Sequence, residues 1–251
     1  MSLHADLRRA LGRAKTRVFR QLGLIKTDWE TSLPEEVQFW HGALSDPAKN
    51  WIPDEYRERT DPDLPFQEEL RELLSHHTGT TVRILDVGAG PLTRLGKVWP
   101  GKSLEIVATD PLAGQYDTIL QEIGLIPLVR TIAVQGEKLA QSFPPKSFDL
   151  AYASNSLDHA KDPVDVIRQM CALLKPQGRA YLWHFVNCGI GERYVGLHQW
   201  NFSGAADDML VDDGRRRVSL QAALGPAWRV ASRGERAFGA DVVVTTIRPA
   251  E

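Results

Sequence analysis

The spacing of apolar positions changes near residue 80, and the chain divides there. Leu3, Leu7, Leu11, Ala14, Val18, Leu22 and Ile25 recur at three- or four-residue steps, which predicts a helix over residues 1–27. Arg8, Arg9, Arg13, Lys15, Arg17, Arg20 and Lys26 fall between them and are opposed only by Asp6. Such a helix either packs on its own domain with a solvated basic face or makes a weak contact with an anionic membrane surface or a partner. Residues 28–80 carry Trp29, Phe39, Trp40, Trp51, Tyr56 and Phe66. A helix is expected at LPEEVQFW, with Ser32 as its cap and Glu35 three residues on. Asp61-Pro62 and Leu64-Pro65 break the pattern before a second amphipathic helix in PFQEELRELLSHH. The aromatics either fasten the segment to a core or form a lid over a ligand, and fastening is the simpler expectation.

From residue 82 short apolar runs alternate with helical stretches. VRILDV (82–87), LEIVAT (104–109), LVRTIAV (128–134), FDLAYA (148–153) and RAYLWHFV (179–186) read as buried strands. DPVDVIRQMCALL (162–174) reads as a helix stopped by Lys175-Pro176-Gln177-Gly178. A hairpin is expected around Asp213-Gly214, then a short helix ending at Gly225 and a closing strand pair in AWRVAS and DVVVTTI. The alternation predicts an α/β, Rossmann-like, doubly wound and mostly parallel sheet. The expected division is an N-terminal helical extension or lid over 1–79 and a core over 80–251, with a polar loop at about 187–215.

Composition narrows the partners. The 251 residues suit a single core, and 30 Lys plus Arg against 32 Asp plus Glu give a net charge of −2, which argues against a nucleic-acid partner. No apolar run approaches the roughly 18–20 residues that span a bilayer. The opening segment has no continuous apolar stretch, so no secretory signal is expected and a cytoplasmic location is. Cys171 and Cys188 cannot build a disulfide framework, and Cys171 falls in a helix as a core residue. Asp158 and Asp162 belong to no spaced acidic set, so no metal is expected.

Candidate chemistry begins where the first strand meets Asp86-Val87-Gly88-Ala89-Gly90-Pro91. Paired glycines at a strand end are either a plain turn or a place where backbone approaches a ligand. A dinucleotide site would continue G-x-G-x-x-G, yet Thr93 occupies the third position, and Asp86 would repel a pyrophosphate. A carboxylate there suits a cationic amine, so S-adenosylmethionine is favoured over a nicotinamide cofactor. Asp110 ends the second strand, where a carboxylate accepts ribose hydroxyls or caps the following helix.

With these residues in place the chain resembles the class I S-adenosylmethionine-dependent methyltransferases, in their small-molecule branch. The resemblance spans about residues 80–188 and rests on ILDVGAGP, VATDP, VQGEKL (134–139), SFDLAYASNSLDHAKDP (147–163) and LLKPQGRAYL (173–182). It implies S-adenosylmethionine bound by Asp86, Gly88, Ala89, Gly90, Asp110 and Pro111. Gln135, Gly136 and Glu137 would border the adenine, and Ser154 and Asn155 would floor the space between donor and acceptor. Two departures stand out: the usual third glycine is replaced around Pro91-Leu92, and the usual acidic residue after the third strand is Gln135.

On the acceptor side His159 is either a proton acceptor or a structural histidine, and Asp158 beside it is expected to be a solvent-facing or capping group. The stretch from Trp183 to Phe202 is dense in hydrogen-bonding side chains. His198 is the first candidate for a base, and His184, Asn187, Trp200 and Asn201 are candidate acceptor contacts; the alternative is a loop pinned by Trp200. The expected activity is methylation of a hydroxyl on a sugar, a glycan end or a secondary metabolite. The alternatives are a non-catalytic S-adenosylmethionine-binding regulatory module and a methyltransferase acting on a membrane-associated macromolecule.

Overall fold

The computed structural model describes residues 29–47, 53–205 and 207–250, with isolated positions 15, 18, 19 and 22 ahead of them. The basic amphipathic helix expected over 1–27, apart from those four positions, and Trp51 lie outside the described residues.

Three helices precede the sheet: α1 (Trp29–Ser45), α2 (Pro53–Thr60) and α3 (Glu68–Leu73). Ser32 does not cap α1. It lies buried inside the helix, and the Trp29 indole ahead of it donates to the His159 carbonyl at 2.6 Å.

The strands β1 (Thr81–Val87), β2 (Ser103–Asp110), β3 (Ile132–Ala133), β4 (Phe148–Ser154) and β5 (Leu174–Phe185) pair in parallel in the order β3-β2-β1-β4-β5. The closing pair, named here β9 (Trp228–Ala237) and β10 (Ala240–Pro249), completes seven strands, with β10 antiparallel to both β5 and β9. Between them β6 (Asn201–Ala205), β7 (Asp208–Asp212) and β8 (Arg217–Ser219) form a separate antiparallel sheet, with the expected hairpin between β7 and β8. The third strand is far shorter than the LVRTIAV run suggested. It sits at the sheet edge with one neighbour, and Ile126, Leu128 and Ile132 stay exposed, so no burial rewards a longer pairing.

Alternation along the strands feeds two cores. Val82 and Ile84 of β1 face Phe66, Leu70 and Leu74 on and around α3. Leu85 and Val87 face the other side, with Val166, Ile167 and Met170 of α5 (Pro163–Leu173) and Phe202 and Met209 of the small sheet. Asp162 caps α5 by accepting from the amides of Val164 and Asp165, and Cys171 is buried in that core. A third cluster joins α1 to α4 (Ala113–Glu122) through Leu44, Leu112, Tyr116 and Ile119. No helix among the described residues is long and apolar enough to cross a membrane.

Candidate active site

In an open parallel sheet the order reverses beside β1, between β2 and β4, and ligands bind beyond the strand ends at such a point. There a cavity of about 500 Å³ opens. Every residue assigned to the cofactor lines it: Asp86, Gly88, Ala89, Gly90, Asp110, Pro111, Gln135, Gly136, Glu137, Ser154 and Asn155.

The glycine turn is held by its neighbours. Gly88 and Gly90 have φ of +69° and +65°, and a Cβ built on Gly88 would lie 2.4 Å from the Ser156 Cβ. The amides of Gly88 and Ala89 donate to the Thr109 carbonyl at 2.8 and 3.1 Å, and Thr131 Oγ1 donates to the Gly90 carbonyl at 2.7 Å. Residues 88–102 contain no helix, so no helix N-terminus points at a ligand here, and a pyrophosphate would find neither dipole nor amide cluster of that kind.

Two buried carboxyls face the cavity instead. Asp86 accepts from Thr93 Oγ1 at 2.5 Å, and burial pushes it up to about 6 against the opposing pull of that bond and of Arg59. Asp110 accepts from the Leu112 and Gly90 amides at 2.9 and 3.2 Å, so it ties both the glycine turn and the residue ahead of α4 to the end of β2. Burial pushes Asp110 up to about 6 as well, despite those amides. Carboxyls raised by burial gain most from a cationic ligand, which repays their desolvation.

The acceptor side grows from β4. Asn155 takes a left-handed φ of +48°, a conformation asparagine tolerates, and its amide donates to the Trp183 carbonyl at 2.7 Å. The single turn Leu157–His159 then turns Asp158 inward, where it is fully buried, not solvent-facing as its sequence context suggested. Asp158 Oδ2 lies 2.7 Å from His198 Nδ1, and His159 Nε2 lies 3.1 Å from the same nitrogen. Burial alone would raise Asp158; His159 and His198 outweigh it and hold the carboxyl below its ordinary range. For His198 burial pulls down, but the bond to Asp158 and its charge prevail and lift the imidazole above its usual value. A hydrogen on Nδ1 directed at Asp158 leaves Nε2 with the lone pair of a base. His159 and His198 both line the cavity.

Cys188 Sγ approaches His198 Nδ1 at 3.5 Å, so a carboxylate oxygen, a sulfur and a ring nitrogen gather within 4.8 Å. Burial and Asp158 push this thiol up, the reverse of the electropositive setting that makes a reactive thiolate.

The remaining expected acceptor contacts lie off the cavity, as scaffold for it. His184 points to the opposite face of β5 from Trp183 and stacks on Phe202 with centroids 4.5 Å apart; burial pushes it down to about 4. Asn187 has a φ of +56° and precedes α6 (Cys188–Gly191). Trp200 donates from its indole to the Ala160 carbonyl at 2.8 Å, which is the pinned-loop reading. Asn201 accepts from the Ile190 amide at 2.8 Å and donates to Tyr194 Oη at 3.0 Å.

A family model described as a methyltransferase domain matches residues 85–182, from β1 into β5. That segment is similar to the methyltransferase domain family. The mostly parallel seven-strand sheet is the Rossmann-like arrangement that the alternation of strands and helices predicted. Over 161 residues the chain is 28% identical to a highly reducing polyketide synthase of Penicillium soppii, covering 52% of this chain and 6% of that one. The chain therefore spans only a small part of the length of that curated relative. Among solved structures it is similar to the Burkholderia thailandensis 1,6-didemethyltoxoflavin-N1-methyltransferase, at 17% identity and a TM-score of 0.49 over 90% of this chain and 92% of that one. It is also similar to trans-methyltransferase CalH in complex with S-adenosylhomocysteine, at 20% identity and a TM-score of 0.46 over 71% and 54%.

Residues 85–182 do not close the cavity alone. Trp29, Glu36 and Trp40 of α1 and Glu55 and Arg59 of α2 line it, so the aromatic segment ahead of the sheet both fastens and covers. Glu36 lies 3.7 Å from His159 Nδ1 and accepts from the Trp40 indole at 2.8 Å. Only the aromatics signalled this in the sequence; nothing marked Glu36, Arg59 or Arg94.

Proposed function

We propose that the cavity holds S-adenosylmethionine across the glycine turn and transfers its methyl group to a hydroxyl of a small metabolite. When bound, S-adenosylmethionine supplies a methyl carbon activated by a sulfonium. Asp86 meets the α-ammonium, Asp110 accepts from the ribose hydroxyls, and Gln135 and Glu137 border the adenine. Ser154 and Asn155 floor the transfer site, where alignment of the reacting atoms supplies much of the rate. His198 Nε2 takes the hydroxyl proton as the oxygen lone pair forms the new C–O bond and the C–S electrons return to sulfur. Asp158 then stabilises the imidazolium, the orienting role a carboxylate plays behind a catalytic histidine.

The observation that carries the donor assignment is the pair of buried carboxyls flanking a glycine turn with no helix behind it. The sugar or glycan reading rested on the hydrogen-bonding density of the Trp183–Phe202 stretch, of which Trp183, Phe185 and His198 line the cavity while His184, Asn187, Trp200 and Asn201 do not, so a secondary metabolite is the acceptor proposed. A relative named as a polyketide synthase supports that choice. Calorimetric titration with S-adenosylhomocysteine and with NADH tests the donor, and only the first should bind. Incubating the protein with S-adenosylmethionine and a set of hydroxylated metabolites should then release S-adenosylhomocysteine. Tight binding with no turnover across the set would favour a non-catalytic binding module.

A further inference from the structure

One wall of the cavity is aromatic and carries a cation. Trp183 and Phe185 project from the same face of β5, with centroids 5.0 Å apart and rings edge-on. Phe238, at the tip of the β9–β10 hairpin, lies 6.3 Å from Trp183. It is 59% exposed and holds a φ of +52°, so a large apolar ring is kept at the cavity mouth in a conformation unfavourable for its residue type. The Arg94 guanidinium sits against both rings, 5.8 Å from each centroid. Its Nε is 3.5 Å from Glu55 Oε1, but that oxygen already accepts from Arg59 at 2.8 Å. One carboxylate thus serves two guanidiniums, Arg59 at hydrogen-bond distance and Arg94 farther off. Arg59 lies beside Trp40, which covers Gly90, whereas Arg94, on the other side of the shared Glu55 oxygen, lies against Trp183 and Phe238.

We propose that Arg94, Trp183 and Phe238 form the acceptor subsite and that the acceptor is a planar aromatic molecule bearing an anionic group. The ring packs against Trp183 and Phe238, and the anion meets the guanidinium fork, whose geometry suits a carboxylate. The assignment rests on the donor reading above, since it takes the remainder of the cavity as the acceptor's.

The test uses 4-hydroxybenzoate and its uncharged counterpart 4-hydroxybenzamide, titrated by calorimetry into the full chain saturated with S-adenosylhomocysteine. The carboxylate should bind about tenfold tighter than the amide. Arg94→Gln should bring the two within about twofold of each other, and Phe238→Ala should weaken both while keeping their ratio. Equal affinities in the wild-type protein, binding by neither, or an unchanged ratio in Arg94→Gln would overturn the proposal. So would a loss of S-adenosylhomocysteine affinity in Arg94→Gln with the thermal midpoint unchanged, because Arg94 would then serve the donor. Failure of S-adenosylhomocysteine to bind the wild-type protein sinks the donor reading and is seen before any aromatic is added. The pair is then titrated into the protein alone, where the same ratio is expected of a subsite built from the chain's own residues.

Discussion

The proposed donor and acceptor halves of the cavity are built by different means. The donor half is backbone and short side chains at the ends of paired parallel strands: Gly88 and Ala89 bonded to Thr109, Gly90 to Asp110 and Thr131, Asp110 to Leu112. The acceptor half is made of long side chains from distant segments: Glu36 from α1, Asp158 and His159 after β4, Trp183 on β5, His198 in the following loop and Phe238 on the closing hairpin. In the first, sheet register fixes the geometry and side chains refine it. In the second, each group is held by another side chain, so single replacements should alter chemistry or selectivity and leave donor binding alone.

The largest expected separation comes from His198→Ala. Loss of a positioned base costs about 10²–10⁴ in rate. Turnover should fall by that order while calorimetric affinity for S-adenosylhomocysteine stays at the wild-type value. Equal losses in both would show that the two halves act as one.

Gly88→Ala is the matching break on the donor side. The new Cβ meets the Ser156 Cβ at 2.4 Å and forces alanine to a φ of +69°. Backbone strain and overpacking together should cost about 3 kcal/mol in urea unfolding, with S-adenosylhomocysteine binding lost.

These two residues also show what the sequence could reveal. Gly88 stands in a contiguous motif at a strand end, where chemistry and backbone geometry coincide, so its place was legible. His198 was legible as chemistry, but Asp158, forty residues earlier, was read as solvent-facing because nothing local says a turn will bury it. Trp183 and His184 illustrate a signal that was present and outweighed. The alternation of β5 sends Tyr181, Trp183 and Phe185 to one face and Leu182 and His184 to the other, yet polarity drew attention to His184. Arg94 had no signal at all, since an isolated arginine in a loop becomes meaningful only beside the rings it touches.

Acidity should sharpen the contrast at smaller amplitude. Asp86 and Asp110 titrate near 6 in the fold, raised from 3.8, so their contribution to the stability of the empty protein is full below about 3.8 and is lost as pH rises through 6. The ligand ammonium needs Asp86 ionised and the ribose hydroxyls need Asp110 as a carboxylate acceptor, so affinity for S-adenosylhomocysteine should be flat above 6 and weaken below it, by up to about tenfold per pH unit for each proton taken up. His198 is raised above 6.5, so its basic form appears only as pH climbs past that value. As pH rises above 6.5, kcat should therefore rise while S-adenosylhomocysteine affinity stays constant. Parallel changes in both over that interval would tie the base to the donor site.

The smallest effect is expected at His184, and its smallness is informative. Neither ring nitrogen has a protein partner among the described residues, and the ring stacks on Phe202. Replacing a buried, unsatisfied polar ring by an apolar ring of similar shape is close to neutral, so His184→Phe should change urea stability at pH 7 by no more than about 1 kcal/mol. On acidification the variant should gain on the wild type. His184 titrates near 4 in the fold against 6.5 ordinarily, so the unfolded chain binds the extra proton and the wild-type protein loses stability as pH falls across that interval. Phenylalanine has no proton to bind, so the difference should widen from pH 6.5 towards 4. The KM for any acceptor found should not move. A raised KM in His184→Phe with stability intact would place this ring in the acceptor half, and would mean that the face of β5 opposite Trp183 also meets substrate.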